Sequence, residues 1–132
     1  MSSNISSSAL SAFNTQLVAF FEELVVVFPE ERDVKAALEA IRGAKRINPR
    51  LILDLFCIHI YTEFATAIQK EDLAFIQERG RIKIQNEFNE VMPALAIFNK
   101  HWDTLTETNR RNIWNYLKVL CILCEKARGM RF

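Results

Sequence analysis

The three cysteines and two histidines are the residues of this chain whose chemistry could support metal binding or catalysis. Cys121 and Cys124 are three residues apart, so on a helix their thiols share a face and could contact a single ion. The residues around them are apolar, and in such a segment a free cysteine commonly serves as a small buried hydrophobe. We therefore predict that this pair packs in the core and does no metal or redox chemistry.

Cys57 and His59 do not complete a metal site with that pair. Residues two apart on a helix point about 200° away from each other, so they cannot converge on one zinc ion. His59 and His101 are not part of a nucleophile signature, and the chain has no H-E-x-x-H, glycine-rich phosphate-loop or zinc-deaminase pattern. We predict a non-enzymatic protein with no catalytic residue, cofactor or metal. Because catalytic groups can also meet only in the fold, the sequence leaves an enzyme open as an alternative.

Three pairs of neighbouring carboxylates, 22–23, 30–31 and 71–72, also do not suit catalysis. Side chains adjacent in sequence diverge on a helix, so the pairs would not share a proton. We interpret most of them as solvated residues at helix starts. Glu23 lies close to an apolar stripe and is expected to meet a basic residue of another helix.

The composition predicts one helix-rich domain. The chain has 132 residues, of which 50% are hydrophobic and 25% charged, with only 3 Gly and 3 Pro. A chain of this length buries enough surface to fold without disulfides or metal. An odd number of cysteines does not resemble a secreted disulfide framework and favours a reducing intracellular setting. The formal net charge of +1 argues against a dedicated polyanion binder.

Apolar spacings of three and four residues predict the first helices. A first helix follows the Ser-rich start and ends at Phe28–Pro29. A second is predicted over residues 29–42 and should end at Gly43, because glycine is common at helix ends. Residues 49–68 are apolar on nearly every side, which predicts a central buried helix that begins after the cap residue Asn48.

The second half of the chain predicts a short helix near residues 73–80, a less regular one over residues 84–98 and a closing helix that ends at Gly129. Pro93 either kinks the middle helix or marks the first turn of a new one, and we favour the kink. Thr104 with Glu107 suggests a capping box for the last helix. The predicted fold is all-α, a single compact globule of about five to six helices. Residues 1–8 form a polar lead, residues 9–128 the helical domain and residues 129–132 a tail.

Targeting and surface signals are weak. The N-terminus has no signal-peptide pattern, and the longest apolar stretches are short or interrupted by acidic residues, so we predict no transmembrane segment. Basic residues cluster at residues 42–50, 79–83 and 126–131. Nucleic-acid binding is nevertheless disfavoured, because most aromatic residues have core spacing and would not be exposed for base stacking.

Five residues are candidates for contact with other proteins. A Trp or Tyr at a helix end can serve as a core lid or as an interface anchor, and the apolar tail could dock on a neighbour or fray. The predicted interface consists of Trp102, Tyr116, Arg128, Met130 and Phe132.

Several short stretches, taken in order, resemble a family of small helical proteins of nucleocytoplasmic large DNA viruses. The resemblance spans most of the chain, apart from residues 79–86. It rests on the following motifs: Phe13-x3-Leu17-x2-Phe20, Glu23-Leu24-x3-Phe28-Pro29-Glu30, Ile47-Asn48-Pro49-Arg50, Ile68-x-Lys70-x-Asp72-x2-Phe75 and Trp102-x2-Leu105-x3-Asn109-x3-Ile113-Trp114-x-Tyr116-Leu117-x2-Leu120.

This resemblance implies a non-enzymatic virion component, a minor capsid protein that joins or stabilises capsomers. Its implied partners are the major capsid protein or other minor capsid proteins, through self-association or hetero-assembly. Its implied location is the virion, and the host cytoplasm during assembly. The alternative is a soluble helical adaptor or regulator that binds a host or viral protein in the infected cell.

Overall fold

The computed structural model describes residues 6–86 and 92–129, and within them the chain is helical with no strand. This confirms the all-α prediction. The elements in chain order are α1 (Ser7–Val27), α2 (Arg32–Ile47), α3 (Leu51–Phe56), a π-helical turn (Cys57–Tyr61), α4 (Thr62–Lys70), α5 (Leu73–Asn86), α6 (Met92–Lys100), a 3-10 turn (Trp102–Thr104) and α7 (Glu107–Arg128). The stretch Leu51–Lys70, here called the central segment, corresponds to the predicted central helix.

α1 and α2 form an antiparallel pair. Near the end of α1, Glu22 binds Arg42, while near its start the Asn14 side chain reaches Pro49. α7 runs antiparallel to α1 as well, because the Ser6 amide donates to the Ala127 carbonyl at 3.1 Å and closes one end of the bundle. The described chain is thus a bundle of α1, α2, the central segment and α7.

α5 and α6 form a helical hairpin against one side of this bundle. The Gln77 side chain donates to the Phe98 carbonyl at 2.8 Å, and the backbone of Gly80 lies beside Leu95. Gln77 precedes Gly80 in α5, whereas its partner Phe98 follows Leu95 in α6. The two helices are therefore antiparallel, and the chain reverses between them. The favoured kink at Pro93 is therefore wrong and the alternative is confirmed: Pro93 lies in the first turn of a new helix, α6, where its missing N–H removes no helical hydrogen bond.

The core is rich in aromatic side chains. Phe13, Phe21 and Phe64 are essentially inaccessible to solvent, and the Phe13 ring meets Phe56 edge-on with centroids 5.2 Å apart. A cavity of about 30 Å³ remains between α1, the central segment, α5, α6 and α7, and apolar side chains line it. That volume is close to the space of one water molecule, and such a lining offers water no hydrogen-bond partner.

Two local predictions fail. α2 continues through Gly43 to Ile47, because the amphipathic pattern goes on and a single glycine costs a packed helix only about 1 kcal/mol. The N-cap of α7 is Thr106, not Thr104: its side chain accepts a hydrogen bond from the Asn109 amide at 3.1 Å. Thr104 belongs to the preceding 3-10 turn.

Among the described residues, two helices are long and apolar enough to cross a membrane, judged by length and composition alone. They are α1 and the Leu51–Lys70 segment, and 33% and 50% of their apolar windows are buried within this fold. A core helix meets the same criterion. The expected lack of a transmembrane segment stays a prediction.

Candidate functional site

The contact between the central segment and α7, here called the seam, brings together residues that the sequence leaves far apart. The Thr62 amide donates to the Cys57 carbonyl five residues earlier, which makes the π-helical turn. Cys57 is joined by a disulfide to Cys124, 67 residues later in the chain. Single π-turns inside α-helices occur frequently at functional sites. This turn starts at the crosslinked cysteine.

The disulfide corrects the expectation that Cys124 is, like Cys121, a free cysteine packed in the core. Cys124 pairs with Cys57 and not with Cys121, its neighbour in the C-x-x-C spelling. Cys121 keeps its thiol in the core, where burial raises its pKa to about 12. The reactive thiolate is therefore scarce at neutral pH, and Cys121 acts as a small apolar residue.

A second bond joins the seam one residue further along α7. The Tyr61 hydroxyl donates to the Glu125 carboxylate at 3.0 Å, and burial together with this carboxylate raises the pKa of Tyr61 to about 12. Ile58 lies one helical turn before Tyr61 and is 61% exposed, and Ile122 lies one turn before Glu125 and is 45% exposed. The seam thus carries an aliphatic side chain on each of its two helices, next to a polar bridge.

An open groove continues from the seam along the same two helices. It has a volume of about 350 Å³ and is lined by Ile68, Gln69, Lys118, Cys121 and Ile122. Its walls combine apolar and polar side chains. Such a groove suits contact with the side chains of another protein.

The predicted interface residues differ in their exposure. Trp102 is buried, with only 6% of its surface accessible, which favours the core-lid alternative over the interface anchor. Tyr116 is partly buried and stacks on Phe20, with ring centroids 5.1 Å apart. Arg128 is bound to Asp54 at 2.7 Å across the seam. Met130 and Phe132 lie outside the described residues.

Trp102 is buried because it belongs to an aromatic cluster at one end of the bundle. Its ring stacks on Phe98 at 4.8 Å and meets Trp114 edge-on at 5.3 Å. The Arg110 guanidinium lies 5.7 Å from the Trp102 ring centre, and its Nε donates to the Trp102 carbonyl. The arginine covers the ring, which leaves no aromatic face for a partner.

Glu71 is one of the carboxylates expected to be solvated, and in the fold it instead connects α4 to α7. It ends α4 in the left-handed conformation, with φ of 54°, and accepts hydrogen bonds from Arg111 and Lys118. These two cations lower its pKa to about 2. Glu71 is therefore charged at any physiological pH.

Glu31 and Glu63 also bind basic side chains across two other helix contacts. Glu63 binds Arg79 and Lys83 of α5, and these cations lower its pKa. Glu31 lies at the start of α2 and meets Lys100 and His101 at the end of α6. Each of these glutamates holds a pair of basic side chains from a different helical segment. Such bridging contacts link the bundle to its hairpin.

Within the part of the chain that the structure describes, one group of side chains has the composition of a metal site. Glu30, Glu31 and His101 place one ligand atom each within 4.8 Å of one another. The Glu31 carboxylate is already shared between Lys100 at 2.9 Å and His101 at 2.7 Å, and hydrogen bonds from Lys100 first and then His101 lower its pKa. A metal ion at this carboxylate would compete with Lys100, whose charge it would also repel.

Glu23, expected to meet a basic residue, instead accepts a hydrogen bond from the Asn112 side chain of α7 at 3.4 Å. The partner is an amide, so the contact adds no opposite charge. The sequence signal that Glu23 borders the apolar stripe did locate it at a helix contact.

Comparisons with known proteins give no relative for this chain: no protein-family model, curated protein or solved structure matches it.

Proposed function

We propose that this protein is a non-enzymatic structural protein, a minor capsid protein of a large DNA virus that joins capsomers through helical interfaces. The motif resemblance supplies the viral assignment. The observation that supports a joining role is the pair of exposed aliphatic residues at the seam, Ile58 and Ile122, which flank the Tyr61–Glu125 bridge. Exposed aliphatic side chains on an ordered surface are suited to burial against another protein.

The helices that present these residues are held in place before any partner binds. The disulfide joins Cys57 to Cys124 within the seam, and Arg128 binds Asp54 beside it. A surface that is already ordered loses little conformational entropy on association. This favours a protein that serves as a fixed connector between larger subunits.

The first experiment is quantitative mass spectrometry of purified, gently fractionated virions. Peptides of this protein are scaled against those of the major capsid protein in shell and core fractions. A fixed ratio in the shell is the expected result. Absence from particles despite abundance in infected cells would refute the capsid role and favour the adaptor alternative.

A binding experiment tests the surface itself. Ile58→Lys and Ile122→Lys are expected to weaken binding of the purified protein to the major capsid protein by tenfold or more, about 1.4 kcal/mol. Val26→Lys is the matched control, because Val26 is 79% exposed but lies on α1, outside the seam. Equal loss in the control, or no loss in the seam variants, would exclude this interface.

A further inference from the structure

Residues 45–51, which comprise the end of α2, the turn after it and the first residue of α3, are the longest continuously exposed stretch of the described chain. All seven residues are exposed, and Ile47 is 87% accessible, the highest value among the large hydrophobic side chains that the structure describes. The same stretch contains Lys45, Arg46 and Arg50. We name this segment the basic corner.

The three cations of the basic corner differ from most cations of this protein. Arg42, Arg79 and Arg111, for example, each bind a carboxylate within the fold. Within residues 6–86 and 92–129, no carboxylate lies within ion-pair distance of Lys45, Arg46 or Arg50. Their charge is therefore available to an external anion.

The basic corner is an ordered turn. The Asn48 amide donates to the Ala44 carbonyl at 2.7 Å and the Arg50 amide donates to the Asn48 side chain at 3.2 Å. Asn14 is the buried polar residue of the core, only 3% exposed, and its side-chain amide donates to the Pro49 carbonyl at 2.9 Å. The buried asparagine thus anchors the turn to α1 and holds the corner outward.

We propose that the basic corner docks this protein on an anionic lipid bilayer. Unpaired basic side chains beside an exposed isoleucine match the two components of such a surface, acidic headgroups and the edge of the hydrocarbon region. A nucleic acid would use the cations but would leave Ile47 in water, since bases stack on aromatic rings.

Docking on a membrane is independent of the proposed capsid function, because it uses a different surface and no capsid protein. The test is sedimentation of the purified full chain with vesicles of phosphatidylcholine, alone or with roughly 30% phosphatidylserine, at several salt concentrations. Binding is expected only with the anionic vesicles. It should weaken as salt rises, since salt screens exposed charges.

Variants locate the bound surface. Replacing Lys45, Arg46 and Arg50 together by Gln should lower the vesicle partition coefficient on the order of 100-fold, because each basic residue near an anionic surface contributes to the binding free energy. Ile47→Ser should lower it by about tenfold. Both variants replace exposed side chains, and unchanged circular dichroism verifies their folding.

The matched control replaces the same number of cations elsewhere, with Gln at Arg32, Lys35 and Lys70, three exposed residues outside the corner. This triple variant has the same net charge as the corner variant and should retain most vesicle binding. Equal loss in both triple variants would show an effect of net charge alone and would overturn the proposal. Equal binding to neutral and anionic vesicles, or no binding to either, would also overturn the proposal. So would corner variants that keep vesicle binding and lose only binding to DNA or to a protein.

Discussion

Removing the charge of Glu71 is expected to destabilise the fold without changing its shape. Glu71→Gln keeps the size of the side chain and the left-handed backbone, so the difference reports the ionic contacts with Arg111 and Lys118. Lowering the pKa from 4.5 to about 2 corresponds to at most about 3.4 kcal/mol. The carboxylate is 25% exposed and therefore partly screened by solvent, which reduces the expected loss at pH 7 to about 1–2 kcal/mol.

The pH dependence has a definite sign. A carboxyl group whose pKa is lower in the folded state stabilises the protein fully above its unfolded pKa, and this stabilisation disappears as the pH falls through the folded pKa. The stability advantage of the unmodified protein over Glu71→Gln should therefore be constant above about pH 5 and decline toward pH 2. Urea unfolding followed by circular dichroism measures both free energies at each pH.

Glu78→Gln is the matched control for this experiment. Glu78 also binds an arginine, Arg81, at 3.1 Å, but it is 64% exposed and both residues lie on the same helix. Such a pair contributes at most about 0.5 kcal/mol. The reasoning would be refuted if both variants lost the same stability, or if the deficit of Glu71→Gln persisted unchanged at pH 2.

Three further predictions concern the helices and the crosslink. Gly43→Ala should stabilise the protein by about 0.5–1 kcal/mol in thermal or urea unfolding, because an added Cβ meets nothing within 4 Å inside α2. Thr106→Ala should cost about 1 kcal/mol, more than Thr104→Ala, because only Thr106 caps α7. Peptide mapping without reductant should recover Cys57 linked to Cys124, and reduction should lower the free energy of unfolding by about 4 kcal/mol for a loop closed over 67 residues.

Helices whose boundaries have strong local signals were predictable from the sequence. The last helix was expected to end at Gly129, and Gly129 does cap α7 with a positive φ of 69°. The first helix was expected to end before Pro29, and α1 ends at Val27. In both cases one residue type changes the backbone energy strongly enough to decide the boundary.

Predictions from local sequence failed where a weak backbone preference was outweighed by packing against another part of the chain. Gly43 suggested a helix end, yet Val34, Leu38 and Ile41 already place one face of α2 in the core and the helix continues to Ile47. The gain from burying that face exceeds the small cost of one glycine. Pro93 was assigned to a kink because the sequence does not show that Gln77 and Phe98 meet across a hairpin.

The candidate sites were less predictable because their partners are far apart in sequence. Glu71 and Arg111 are 40 residues apart, and Cys57 and Cys124 are 67 apart. Spacing within one helix says nothing about such pairs, and the C-x-x-C pattern drew attention to the wrong pair of cysteines. The basic cluster around residue 46 was visible in the sequence, but its lack of carboxylate partners became evident only in the fold.

The two ends of the bundle are built differently, and this bears on where binding can occur. At one end, Trp102 and Trp114 are buried and Arg110 covers the ring of Trp102, so substitutions there should change stability first. At the other end, the basic corner exposes Ile47 and three cations that form no ion pair within the described residues. Substitutions there should alter binding with changes in stability of no more than about 0.5 kcal/mol. The contrast between a covered aromatic end and an exposed end with three cations outside any ion pair favours the basic corner as a contact surface.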